Sequence, residues 1–346
     1  MWTGTELIVW GGAAATSASE PGRSLGDGAS LDLEEGRWRP LPASPFPDGL
    51  YRPLGAWDGT ELIVIGTWCD AEIPPVTDGS PPPCPKGPAA AAYDPAAGTW
   101  RRLEPPPIPV DSWSGERVVG AGPDPVAVGG DGTARFAFGW SAEAIAWDRE
   151  AGWSSLGPAI DDEVDVALCA DVVTRRLAGV VLPQFRPDMP LKVRSFGAGD
   201  RAWGPAIDLG VPMEDDLSCG DGVLVGARSD DPAERGQGYE LATGDAVPVI
   251  DPPESIGWSR PYALGPWIVL DDSRMGEQVD AADVRRHRVR RSSARADEWV
   301  EVVAPLDDSI DPSGALALEG LGLLDTSRAV DGRIVLWRFP SSLAAG

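Results

Sequence analysis

Apolar positions along the chain come in short runs with a two-residue alternation, separated by turns rich in glycine, proline and aspartate, and this pattern predicts β-strands throughout. The clearest stretch is AAAAYDPAAGTWRRL, Ala89 to Leu103. It reads as a strand ending at Tyr93, a tight turn through Asp94, Pro95 and Gly98, and a second strand opening on Trp100. Upstream, YRPLGAWDGTELIVIG (Tyr51 to Gly66) predicts another hairpin, with a DG turn and a β-branched strand returning from Glu61. The two hairpins together make four strands and a proline-rich exit. No stretch sustains a helical period, and no apolar run approaches the ~18 residues of a membrane helix.

The four-strand unit recurs. WTGTELIVWGG (Trp2 to Gly12) matches WDGTELIVIGT (Trp57 to Thr67), and LDLEEGRWRPL follows at Leu31 to Leu41. An apolar residue followed by a spaced Trp appears at Leu31/Trp38, Tyr93/Trp100, Trp147/Trp153 and Phe196/Trp203, with a looser copy ending at Trp299 and a degenerate one near Tyr239 to Val247. Four strands repeating at roughly 50 residues are the signature of a β-propeller. The blades are expected at 1–42, 50–104, 113–157, 163–206, 215–250, 258–303 and 313–340, with a short tail at 341–346. The fold class is thus all-β: a propeller of four-stranded antiparallel blades, seven in number, whose first and last blades are incomplete at the ring closure. The alternative is six blades, closed by Arg333 to Phe339 against the N-terminal sheet. Under shared closure, the native chain is expected to start about 20 or more residues upstream of Met1.

In these residues the chain resembles the kelch-repeat, galactose-oxidase-type β-propeller family, whose blades carry a glycine pair after the second strand and a Tyr and spaced Trp on the third and fourth. Gly11-Gly12 and Gly129-Gly130 match the glycine pair, and Gly66-Thr67 keeps half of it; Tyr93 and Trp100 match the aromatic pair. The resemblance covers nearly the whole chain, although later blades lack the glycines and the fifth lacks its Trp. Physics supports the motif independently. A Trp opening the outer strand can lie over the neighbouring sheet, where truncation to Ala costs roughly 3–5 kcal/mol. Most of the fifteen tryptophans are therefore expected to be packing residues rather than ligand contacts.

Candidate chemistry is sparse. The single histidine, His287, and four tyrosines cannot assemble the two-histidine copper site of galactose oxidase itself. The Asp boxes of sialidases place Asp and Gly two apart, whereas Asp94 and Gly98 are four apart. No G-x-S-x-G, P-loop or dinucleotide glycine motif is present. Cys69 and Cys84 flank a proline-rich loop that a bridge would stabilise, and Cys169 and Cys219 occupy matching innermost strands of adjacent blades, where a second bridge is geometrically stricter. Free buried thiols are the alternative reading. The segment Met1 to Ser19, apolar from Leu7 to Ala15, has no Lys or Arg before its apolar part, carries Glu6 and repeats a blade strand, so it reads as strand and not as signal peptide.

Charge is the most usable functional clue. With 54 acids against 29 bases the net charge is −25, which argues against nucleic acid or an anionic membrane surface as partner. Strand parity assigns many acids to loops on one face: Asp70, Glu72 and Asp78; Asp131; Asp161, Asp162 and Glu163; Glu214, Asp215 and Asp216; Asp230, Asp231 and Glu234; Asp271, Asp272 and Glu277; Asp307, Asp308 and Asp311. Such a face would dock a cationic partner or admit calcium, although no D-x-D-x-D-G loop is present, or would simply keep the protein soluble. Arg285, Arg286, Arg288, Arg290, Arg291 and Arg295 form a contrasting basic run, with Arg286, Arg288 and Arg290 on one side of a strand and Arg285, His287 and Arg291 on the other. The expected function is non-catalytic binding of a protein or glycan by an exported propeller, without membrane insertion. A propeller hydrolase or lyase using Asp, Glu and Arg near the axial mouth is the alternative, and a cytoplasmic adaptor follows if the thiols are free.

Overall fold

The computed structural model describes residues 1–14, 23–68, 87–107, 126–138, 143–158, 165–171, 174–182, 192–196, 200, 202–209, 217–220, 222–226 and 237–247, and beyond these the strands within 261–264, 267–271, 285–291, 300–304, 315–318, 322–325 and 335–338. Every regular element among them is a β-strand. The chain divides into two compact units, residues 1–168 with 198–203 and residues 169–197 with 204–346.

The first unit opens with β1 (Glu6–Trp10), the short ribbon β2 (Ala13–Ala14) and β3 (Arg23–Ser24), β4 (Gly28–Asp32) and β5 (Arg37–Pro40); β1, β4 and β5 form a three-stranded sheet. The second sheet is β6 (Tyr51–Trp57), β7 (Leu62–Thr67), β8 (Pro88–Asp94) and β9 (Thr99–Leu103), in that order. The third is β10 (Val126–Gly129), β11 (Thr133–Phe138), β12 (Glu143–Asp148) and β13 (Gly152–Pro158). Within the second and third sheets all pairings are antiparallel between sequence neighbours, so each of these four-stranded sheets runs up and down.

The apolar runs of β7 and β8 are explained by burial on both faces. Ile63, Ile65, Ala90 and Ala92 pack against Ala134, Phe136, Ile145 and Trp147 of the third sheet. Their alternates Leu62, Val64, Ala89, Ala91 and Tyr93 pack with Ile8 and Trp10 of the first. A strand with one wet face would have shown polar alternates.

The hairpins joining third to fourth strands share one construction. Asp32, Asp94 and Asp148 each turn an Oδ1 back onto the chain, accepting from the N–H groups of Glu34 and Glu35, Ala96 and Ala97, and Glu150 and Ala151. Four residues after each Asp stands a glycine at positive φ, Gly36, Gly98 and Gly152. That conformation is open to glycine at no steric cost. The Asp94–Gly98 spacing that fails as an Asp box is thus a turn signature.

Past each turn the expected cross-strand pairs form: Leu31 opposite Trp38, Tyr93 opposite Trp100, Trp147 opposite Trp153. The Trp100 ring lies 5.4 Å from Trp10 of the preceding sheet and 5.0 Å from Tyr93. Trp153 donates its indole N–H to the Glu104 carbonyl at 2.8 Å, just past β9. Trp203 donates to the Gly157 carbonyl of β13 at 3.1 Å.

The β14 strand (Asp165–Asp171) contains the boundary between the units. It heads a sheet with β15 (Arg176–Leu182), β16 (Lys192–Phe196) and β17 (Ile207–Asp208). Next come β18 (Leu217–Gly220), β19 (Val223–Gly226), β20 (Gln237–Glu240) and β21 (Ala246–Val247) as a further four-stranded sheet. Another is β22 (Pro261–Leu264), β23 (Trp267–Asp271), β24 (Arg285–Arg291) and β25 (Val300–Ala304), and a three-stranded sheet of β26 (Ala315–Leu318), β27 (Gly322–Asp325) and β28 (Val335–Arg338) follows. First strands of consecutive sheets are neighbours: β6 with β10 in the first unit, β18 with β22 and β22 with β26 in the second. The Cys169–Cys219 disulfide joins β14 to β18, with Cα atoms 5.8 Å apart. Cys69 and Cys84 lie outside the described residues.

Three sequence expectations need correction. The outer strand of the fourth sheet starts at Ile207, not at Trp203, because Trp203 precedes the strand while its ring stays buried. Gly129-Gly130 follow the first strand of their sheet rather than the second, since that sheet begins at Val126. Trp38 keeps the register but is 43% exposed rather than packed. Trp299 lies outside the described residues.

In chemical denaturation, Trp153→Ala should lose roughly 3–5 kcal/mol, whereas Trp38→Ala should lose less than about 1 kcal/mol; equal losses would contradict these packing roles. Replacing both Cys169 and Cys219 with Ser, which frees a loop of 50 residues, should cost about 4 kcal/mol relative to the oxidised protein.

Candidate functional site

The turns joining first to second strands carry most of the buried charge among the described residues. In the matching turn ahead of β1, closed by the Trp2–Leu7 bridge, Thr3 Oγ1 accepts from the N–H groups of Thr5 and Glu6. Asp58 does the same work in the second sheet, its Oδ1 accepting from Thr60 at 2.7 Å and Glu61 at 2.6 Å. The Asp58 carbonyl accepts in turn from the Gly132 N–H of the third sheet at 2.7 Å. In the second unit the Asp171 carboxylate accepts from the Thr174 N–H and Oγ1 and, at 2.6 Å, from the Gly222 N–H of the next sheet. Each of these two Asp turns therefore fixes its own hairpin and is tied to the following one.

A charged network links the second and third sheets. Arg101 grips Glu61 with two donors at 3.2 and 2.7 Å, and Arg149 lies 3.4 Å from both Asp58 and Glu61. The carboxylates are buried and the guanidinium groups half exposed, so the pairs close over the turn from outside. Arg101 also lies 5.8 Å from the Trp147 ring centroid. In the third sheet Asp131 pairs with buried Arg135 at 2.7 Å. Burial pushes the Asp131 carboxyl up, but hydrogen bonds from Arg135 and Thr133 outweigh this and hold it below its ordinary value. Glu143, at the opposite end of that sheet, has its carboxyl raised from 4.5 by burial.

Asp131, expected in the acidic-loop face, stands instead in the first-hairpin turn, a consequence of the displaced glycine pair. Asp271 ends β23, and the backbone register sets it opposite His287 of β24. The same register sets Arg288 opposite Leu270 of β23 on one side and Glu301 of β25 on the other. Asp161, Asp162, Glu163, Asp215, Asp216, Asp230, Asp231, Asp272, Asp307 and Asp308 lie outside the described residues, as do Asp70, Glu72, Asp78, Glu214, Glu234, Glu277 and Asp311. Among the described residues no His, Cys, Asp and Glu cluster could hold a metal ion, and no helix is long and apolar enough to cross a membrane.

The second unit contains a hollow of about 230 Å³ between its first two sheets, lined by Thr174, Arg176, Gly222, Val223, Glu240, Leu241 and Ala242. Its walls are braced. Arg176 donates to Ser195 Oγ at 3.3 Å, Ser195 Oγ donates to the Leu241 carbonyl, and the Leu241 N–H donates to the Gly222 carbonyl at 2.8 Å. Glu240 accepts from Thr243 Oγ1 at 3.1 Å. Sequence reasoning missed this hollow because its residues come from distant turns.

The fold and turns define an all-β protein of successive up-and-down antiparallel sheets. No family model and no curated protein matches the chain. Among solved structures it is similar to the crystal structure of TolB from Acinetobacter baumannii, at 10% identity and a TM-score of 0.38, over 87% of this chain; the chain spans 64% of that one.

The raised Glu143 carboxyl sets a testable sign. A folded state that prefers the protonated acid loses stability as pH rises through the folded-state value. Glu143→Gln should therefore raise the thermal midpoint relative to the wild type at pH 7, and the gain should vanish below about pH 4, where the carboxyl is protonated in folded and unfolded chains alike.

Proposed function

We propose that the chain is a non-catalytic binding protein, a kelch-like β-propeller of seven four-stranded blades that works in an oxidising compartment outside the cytoplasm. It engages a protein or glycan through loops of one acidic face. The observation that carries this reading is the side-by-side placement of innermost strands, secured between β14 and β18 by the Cys169–Cys219 bridge. Strands arranged so are the building principle of a propeller, and they gather the loops of successive sheets at common ends. The bridge supports export, because structural disulfides persist in oxidising compartments. The net charge of −25 and the acidic pairs Asp161-Asp162, Asp215-Asp216, Asp230-Asp231 and Asp307-Asp308 favour a cationic partner.

The buried carboxylates of Asp58, Glu61 and Asp171, and the partly buried one of Asp131, add support. Asp58, Glu61, Asp131 and Asp171 are each engaged by backbone N–H groups, hydroxyls or arginines that hold turns together. Their bonding is that of a scaffold.

The test is binding of the purified protein to arrays of glycans and cationic polypeptides at low and physiological salt. The wild type should retain a ligand whose binding weakens with salt, and Asp161, Asp162, Asp215 and Asp216 changed together to Asn should weaken it at least tenfold with the fold intact. Binding indifferent to these changes would overturn the reading. Turnover of a bound glycan, abolished by one Asp or Glu substitution, would replace it with the hydrolase or lyase alternative.

A further inference from the structure

Among the described arginine side chains of the first unit, Arg37, Arg39, Arg101, Arg135 and Arg149 each reach a carboxylate. Arg102 of β9 is exposed and meets no carboxylate among the described residues, although acids outnumber bases 54 to 29 in the chain. Its guanidinium Cζ stands instead 4.4 Å from the centre of the Trp68 ring and 5.0 Å from that of Phe46. Those two rings meet edge to face, 5.5 Å apart. Ring faces attract the cation but accept no conventional hydrogen bond, so its N–H donors stay open to a partner.

The platform beneath Arg102 is firmly built. Phe46 is fully buried; its N–H donates to Ser44 Oγ at 3.3 Å and its carbonyl accepts from Gly49 at 2.9 Å. Gly26 runs so close that a Cβ there would meet the Phe46 carbonyl oxygen at 2.0 Å. The rings are thus placed before any ligand arrives, which lowers the ordering cost of binding through Arg102. An exposed charge on an edge strand also guards against edge-to-edge pairing, but such a guard needs no aromatic seat.

The strand itself supplies the second half of the argument. The second sheet is ordered β6-β7-β8-β9, so β9 is an edge, and alternate backbone N–H and C=O groups along it face away from β8. Among the described residues no backbone bond beyond the β8 ladder engages them. Trp100 pairs with Tyr93 and Arg102 with Ala91, so Trp100 and Arg102, two residues apart, share a face. A strand laid on the open edge would continue both rows, with one residue opposite Arg102 and another, two positions along, beside the half-buried Trp100 ring. A carboxylate in the first place fills the guanidinium fork, and an apolar side chain in the second covers the indole. The net charge of −25 disfavours a polyanion, so the fitting strand carries one acid among uncharged residues.

We propose that the open edge of β9 is a docking site for an extended peptide segment of a partner protein, added to the sheet as a further strand, with one acidic side chain on Arg102 and an apolar one two residues away beside Trp100. This goes beyond the acidic-face reading and stands whether or not those loops bind a partner.

The full chain is titrated, by fluorescence anisotropy, against a short labelled peptide in which threonine alternates with valine and the central valine is replaced by glutamate. Binding should be saturable, and the same peptide with glutamine in place of the glutamate should bind at least fivefold more weakly. In Arg102→Gln the two peptides should bind alike, a coupling that a merely packed Arg102 would not produce. Of two glutamate peptides N-methylated on opposite alternate residues, one should keep its affinity and the other lose it, because only one set of amides faces the edge. Arg102 is exposed, so the variant is expected to fold, and the peptide series on the wild type decides the matter without it. Absence of saturable binding, equal affinity of the glutamate and glutamine peptides, a difference between them that survives in Arg102→Gln, or equal affinity of the two N-methylated peptides would overturn the proposal. So would displacement of the peptide by glucuronate, which would make the place a sugar-acid site, or an Arg102-dependent dimer of the chain that excludes the peptide.

Discussion

Two-sided burial of the β-sheets is the constraint on which this structure depends. The second sheet has no wet face over β7 and β8: Ile63 and Ile65 enter one apolar cluster and Leu62 and Val64 the other. Apolar area removed from water is worth about 25 cal/mol per Å², and a sheet gains it on both faces only when flanked by other sheets. A single sheet of this composition would expose one apolar side. Repetition is thus the condition under which each unit becomes stable at all.

Neighbouring sheets must also be held in register, and the polar groups do this. Asp58 and Asp171 turn tight hairpins with their side chains and are tied to the next turn through Gly132 and Gly222. Arg149 approaches buried Asp58 and Glu61 from the third sheet, and the Trp153 indole donates to the Glu104 carbonyl just past the second. An apolar interface alone tolerates sliding; hydrogen bonds to fixed carbonyls and turn amides do not. Much of the described buried charge therefore serves as the joinery of the fold.

The fold was legible in the sequence wherever a local rule governs the backbone. Tyr93 opposite Trp100 and Trp147 opposite Trp153 are consequences of turn length, and turn length is written in the Asp and Gly that frame it. The DG turn at Asp58 and its Thr3 counterpart were visible for the same reason. The Gly129-Gly130 pair misled, because glycine marks a close approach without saying which strand it follows; in this fold the Gly129 Cα sits so near the Trp57 carbonyl that a Cβ would meet it at 2.2 Å. Matching strand positions made Cys169 and Cys219 a candidate pair beside the free-thiol alternative, and the structure joins them. The hollow was invisible: Thr174, Arg176, Gly222 and Glu240 belong to separate hairpins, and only the docking of two sheets brings them together. The acidic pairs lie outside the described residues.

The central claim is that, within a unit, consecutive sheets stand with their first strands side by side, and the most direct test is a non-reducing peptide map of the purified protein. Proteolysis without reductant, followed by mass spectrometry, should recover the peptide bearing Cys169 covalently joined to the peptide bearing Cys219, the pair separating on reduction. Recovery of Cys169 linked to Cys69 or Cys84 from the folded, oxidised protein would contradict the placement of β14 beside β18, and with it the side-by-side arrangement of the sheets.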